Sequence, residues 1–386
     1  MNKLFKTVAL CAFGSVVLAG PAGAADLTIA LSSEATSIDP HYHNLGPNNQ
    51  VNRHLFDRLI NQGPNQELWP GLAESWSVTD DPNVWEFKLR QGVSFHDGSP
   101  FTADDVAFTM ERAPNVPNSP SGYGTYIKQI VETTVVDDHT IRFRTAAPYP
   151  LIPNDLSTVA IISREVGEEA ATEDYNAGRA AIGTGPYRFV EYVPGDRIVL
   201  RRNDDYWGDK PEWEQVTLKA ITSAPSRVAA LLAGDVDMIE EVPTADIPSL
   251  RDNPNVALSQ GISNRVIYLH IDSDREVTPM VTAKDGSEIP NPFRDLRVRE
   301  AISIAINRPA IVERVMDGVA IPAGQLLPEG FFGVSDNIEV PTYDPAKARA
   351  LLAEAGYPDG FRPVSYTHLT LPTTLPRCRA RWAPER

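Results

Sequence analysis

His41 and His43 in DPHYHN stand two residues apart, so on an extended chain they share a face and could offer two imidazoles to a divalent metal. Pro40 beside them supports the plainer expectation of a turn in a polar loop. His96 followed by Asp97 has the residue types of a base and its orienting carboxylate, which would make a secreted hydrolase the competing reading. Asp97-Gly98 is first a turn signal after a strand, however, and no nucleophile can be assigned to the pair. Glu240 and Glu241 have the types of an acid/base couple, but at the end of an acidic stretch they are expected to be a solvated strand end. No GxxxxGK[ST] loop, GxGxxG turn, HExxH, CxxC or GxSxG elbow occurs. No catalytic residue, metal ligand or cofactor is therefore assigned. Trp69, Trp76, Trp85, Tyr123, Tyr126, Tyr187, Tyr206, Trp207, Trp213 and Tyr268 could line a binding cleft instead, since rings give large contact area with few rotors, although most are expected to be core. Trp85 and Tyr187, on alternating strands, are expected to be packing residues.

The elements that must position these groups are mixed α and β. Asp26–Leu31 opens as a strand, and Val51, Leu55 and Leu59 fall at helical spacing. Trp85, Phe87 and Leu89 alternate with charged residues as in a half-buried strand. Thr102 and Asp105 predict a capping box for a helix through Met110. Hairpins are predicted about Asp137 and Asp138 and about Pro194 and Gly195. Ser223 or Ser226 starts a helix that Gly234 stops before the strand VDMI. RVIYLHI at 265–271 reads as a strong strand. The helix after it carries Val298, Ala301, Ile302 and Ala305 on one face, and Asn307 and Asp344 cap two more.

Length and composition bound the rest. The chain has 386 residues with 42% hydrophobic, enough for two or three domains with sizeable cores. Its 51 acidic against 35 basic side chains give a net charge of -16, which opposes attraction to nucleic acid or anionic lipid. Thirty-three prolines imply many rigid turns, and 2 cysteines cannot build a disulfide scaffold. At the start, Lys3 and Lys6, an apolar run from Val8 to Leu18, and Ala22 and Ala24 form the pattern of a secretory signal peptide over 1–24. At the other end, 364–386 carries Arg377, Arg379, Arg381 and Arg386 in an otherwise acidic protein and is expected to be a non-native tail.

Three long motifs appear in order: LAESWSVTDDPNVWEFKLRQGVSFHDGSPFTADDVAFTMER at 72–112, GTGPYRFVEYVPGDRIVLRRNDDYWGDKP at 183–211, and PFRDLRVREAISIAINRPAIV at 292–312. With SSEATSIDPH before them and AGYPDGF after, the chain resembles the extracellular solute-binding proteins of family 5. These are the dipeptide, oligopeptide, glutathione and nickel receptors of ABC importers.

The resemblance implies an α/β, two-lobed periplasmic-binding-protein fold with an extra subdomain in lobe I and lobe II incomplete. Lobe I is expected over 25–66 plus 182–262, the inserted subdomain over 67–181, and a truncated lobe II over 263–363. It further implies a small peptide captured between the lobes of a monomer in the periplasmic space and delivered to permease subunits in the inner membrane. No nucleic-acid partner and no enzyme activity are expected. Nickel chelate, haem or sugar remain open as ligands. The family's ligand-facing loop matches Ser32, Ser33, Glu34 and Ala35, and its lobe-crossing segment matches Ser263, Asn264 and Arg265. Family members continue well beyond Phe361, so the 386-residue chain is expected to bind peptide weakly or not at all.

Overall fold

Leu27–Leu31 forms the strand that organises the amino-terminal part of the protein. The computed structural model describes residues 26–263 and 265–364, and these divide into two compact units. The first comprises the residues up to Gly63 with Glu67–Pro243, and the second Pro64–Gln66 with the residues from Thr244 onward. Leu27–Leu31 pairs in parallel with Gln215–Ala220 on one side and with Met238–Ile239 on the other. Arg197–Arg202 and then Tyr187–Val193 continue the sheet as antiparallel strands, five in all. The predicted hairpin turns at Gly195, whose φ of +78° is a conformation that a Cβ disfavours.

The sheet buries Leu31, Ile198, Leu200, Val216 and Leu218 against Val51 and Leu55 of the helix Gly46–Leu55. That helix starts with Pro47 in its first turn, where a missing N–H costs nothing. Leu59 does not share it. Phe56 is already extended, at φ −129° and ψ 126°, and the chain carries Leu59 into a different core. Helical spacing was real up to Leu55 and coincidental beyond it.

That second core lies under a four-stranded antiparallel sheet in the order Ala73–Val78, Val84–Leu89, Thr140–Thr145, Ile130–Asp137. Phe87 and Leu89 point inward as the alternation predicts, and Phe87 meets Phe143 edge-on at 5.3 Å. Trp85 is half-buried, its indole N–H donating to the Tyr149 carbonyl at 3.1 Å. The helix Ala103–Arg112 packs here, its start held by the Thr102 N–H donating to the Asp105 carboxylate at 2.8 Å.

Helices are the main regular elements of the second unit. Asp295, Asn307 and Asp344 accept from backbone N–H groups at the starts of Leu296–Ile304, Arg308–Arg314 and Pro345–Glu354. Val298, Ala301 and Ile304 are buried, Ile302 is half-buried, and Ala305 lies exposed beyond the last helical turn. The strand expected at 265–271 is not formed. Ile267, Tyr268 and Leu269 are 88%, 61% and 60% exposed. β-propensity measures fit against neighbouring strands, and the strands of this unit among the described residues are the two-residue pair Val281–Thr282 and Arg362–Pro363. No helix among the described residues is long and apolar enough to cross a membrane.

Candidate functional site

Parallel pairing brings three strand ends to one edge of the first unit's sheet. Leu31, Ala220 and Ile239 finish at the same side, so Ser32–Ala35, Ile221–Ser223 and Glu240–Val242 leave together. The edge outside the carboxyl ends of parallel strands is where open α/β sheets bind ligands, because loops there can vary without disturbing the sheet.

Arg227, buried on the helix Ala224–Ala233, stitches this edge. Its guanidinium donates to the carbonyls of Ile221 at 2.9 Å and Thr222 at 3.2 Å, and to those of Glu240 at 3.2 Å and Glu241 at 3.1 Å. The rigid fork of five donors matches four carbonyls from two strand ends. Glu241 is held at φ +51°, unusual for a residue with a Cβ, and the Arg227 bond to its carbonyl helps to retain it.

Glu240 is not the solvated strand end expected. Its Oε1 accepts from the Ser32 N–H at 2.5 Å and from the Ser32 hydroxyl at 2.8 Å, and its Oε2 accepts from Gln50 at 2.6 Å. The reading of the sequence missed Glu240, Gln50 and Arg227 as organisers of this edge, since their partners are distant in the chain and no motif joins them.

Of the family-matched residues, Ser33 and Glu34 are exposed at the edge, and Glu34 accepts from the N–H of Gly195. The side chain of Ala35 is buried in the core, while its carbonyl accepts from the Tyr192 hydroxyl at 2.9 Å. Ser263 and Arg265 belong to the second unit, both exposed, with the Arg265 N–H donating to the Ser263 hydroxyl at 3.0 Å. Asn264 lies outside the described residues.

The groups with chemical potential are turned to structural use. His96 is buried, its Nε2 bonding the Gly185 carbonyl at 3.0 Å and its Nδ1 accepting from the Gly183 N–H at 3.2 Å. Burial, more than any neighbouring charge, lowers it to about 4, so it is a neutral imidazole with both nitrogens occupied. Asp97 spends its carboxylate on Ser99, accepting from its N–H at 3.0 Å and its hydroxyl at 2.7 Å, as a turn residue does. His41 is fully buried between the Ala160 carbonyl at 2.8 Å and Arg112 at 3.1 Å. His43 bonds the Thr36 hydroxyl at 2.9 Å. With His41 engaged at both nitrogens inside the core, the two imidazoles do not form a chelate. His41, His43, His96 and Asp97 thus serve packing and loop structure.

The model of the bacterial extracellular solute-binding proteins, family 5 Middle, matches residues 67–381. The chain belongs to family 5. Among family 5 relatives, the glutathione-binding protein of Salmonella paratyphi A is 32% identical over 379 residues, covering 96% of this chain and 70% of its own. A heme-binding protein A of Haemophilus influenzae is 30% identical over 335 residues, covering 81% of this chain and 58% of its own. A similar solved structure is the ABC transporter-associated periplasmic binding protein DppA from Helicobacter pylori in complex with the peptide STSA. Its TM-score is 0.70 at 25% identity, over 87% of this chain and 67% of that one. The α/β fold is therefore that of the family's periplasmic binding proteins, as the motifs implied.

Proposed function

We propose that the protein is the substrate-binding component of an ABC importer that captures small peptides, of dipeptide, oligopeptide or glutathione type, in the periplasmic space. It then delivers them to permease subunits in the inner membrane. The observation that carries this reading is the loop Ser32–Ala35 at the carboxyl edge of the parallel strands. Ser33 and Glu34 are exposed there while Ser32 and Ala35 on either side are tied down. Such a loop can offer backbone and carboxylate groups to a peptide without an ordering cost on binding. Ser33, Glu34, Ala35, Ser263, Asn264 and Arg265 are the proposed ligand contacts, on the family match of their segments. Similarity to a glutathione-binding relative and to a receptor solved with a peptide supports the ligand class. No bond is made or broken in this role.

Haem is the second reading, favoured by the heme-binding relative. Titrating the protein with glutathione, dialanine and haem at up to millimolar concentration separates the two. A dissociation constant near 1 mM still corresponds to about −4 kcal/mol and gives a saturable signal. Saturable tryptophan fluorescence change with the peptides, and unchanged peptide recovered afterwards, is expected. Saturation with haem alone, or recovery of cleaved peptide, would overturn the proposal.

A further inference from the structure

We infer that Glu240 is a positioning residue that fixes the backbone of the ligand-facing loop at Ser32. The inference rests on the reading of Ser32–Ala35 as ligand-facing. One carboxylate oxygen takes both donors of a single residue, the N–H at 2.5 Å and the hydroxyl at 2.8 Å, across a separation of 208 residues. Two bonds to one oxygen fix where Ser32 sits and which way it faces, more than either bond would alone.

Glu240 is itself held at three points, one on its carboxylate and two on its backbone. Its second oxygen is held by Gln50 from the helix Gly46–Leu55 at 2.6 Å. The Glu240 N–H donates to the Ala30 carbonyl at 3.2 Å, and the Glu240 carbonyl accepts from buried Arg227 at 3.2 Å. Bonds to an ionised acceptor are about twice as strong as neutral ones, and an acceptor fixed by its own partners does not have to reorganise. Glu240 is half-buried and its side chain is not one of the buried apolar residues, so truncating it removes no core packing. The other ties of this loop, at Glu34 and Ala35, lie two and three residues further on and do not hold Ser32.

Amide hydrogen exchange at Ser32, thermal unfolding, and calorimetry with glutathione on the full chain test the assignment. Glu240→Ala is expected to raise the exchange rate at Ser32 at least tenfold, weaken glutathione binding about tenfold, and leave the unfolding midpoint within a few degrees. Glu240→Gln keeps one oxygen acceptor for Ser32 and is expected to rescue both protection and affinity to within about threefold. Wild-type exchange at Ser32 in Glu240→Ala would overturn the assignment. So would a Gln variant that keeps Ser32 protected but loses affinity like Ala, because the charge would then be touching ligand directly. Loosened Ser32 exchange in a protein that shows no heat with glutathione or dialanine would support the clamp and sink the peptide reading instead.

Discussion

Arg112 and Asp39 form a bidentate ion pair in the interior, Nη1 to Oδ1 at 3.0 Å and Nη2 to Oδ2 at 2.8 Å, with the Asp39 carboxylate wholly excluded from solvent. The Thr172 hydroxyl adds a third bond to the same carboxylate at 2.8 Å. The pair joins the loop after the first strand to the helix Ala103–Arg112, so it couples the two sheets' surroundings within one unit. Burial alone would push Asp39 up, but Arg112 and His41 together outweigh it and hold the carboxyl below its ordinary value.

Removing one partner leaves a buried charge without compensation, which costs more than the intact pair contributes. Arg112→Met is expected to destabilise the first unit by about 3 to 5 kcal/mol. Asp39→Asn should cost less, because an amide still accepts one bond. Denaturant unfolding of the two variants checks the order, and an Arg112→Met protein as stable as wild type would refute it.

Acid sensitivity follows from the buried histidines. Burial depresses His41 and His96 to about 4 from an ordinary value near 6.5, so the unfolded chain binds more protons between these limits. Their contribution is fully present above about pH 6.5 and is lost as pH falls toward 4, roughly 3 kcal/mol each when complete. Asp39, depressed below its unfolded value, adds a loss only below about pH 4. Unfolding midpoints measured from pH 7.5 to 4.5 should fall steadily, and His96→Asn should flatten that slope whatever its absolute stability.

Gly183 is a packing requirement within the GTGPYRF motif. A Cβ there would lie 1.9 Å from the Leu55 carbonyl oxygen and 2.7 Å from a ring carbon of Phe56, so backbone as well as side chain would have to move. Gly183→Ala is expected to cost about 3 kcal/mol or more, beyond ordinary overpacking. Gly195→Ala meets open space and should cost only about 1 kcal/mol, for its positive φ. Thermal unfolding of the two variants would show the contrast.

Exposed Ile267 and Leu269, in a segment of high β-propensity, are a template for pairing between chains. Ile267→Lys with Leu269→Lys should lower concentration-dependent light scattering while leaving the unfolding midpoint unchanged. Scattering equal to wild type would place the sticky surface elsewhere.

Local pattern alone determined the elements whose causes are local. The Thr102–Asp105 cap, the hairpins at Asp137 and Gly195, and the Asp295, Asn307 and Asp344 helix starts were readable because the groups that satisfy each other lie a few residues apart. Family membership was readable from three ordered motifs. Tertiary structure decided what His41, His96 and Glu240 do. His96 meets Gly183 and Gly185 across 87 and 89 residues, and Glu240 meets Ser32 across 208. It also decided that 265–271 is no strand, since β-pairing depends on a neighbour that a segment's own side chains cannot specify. Periodicity reports which face an element buries, whereas the identity of the atoms waiting on that face comes from parallel pairing of strands far apart in the chain.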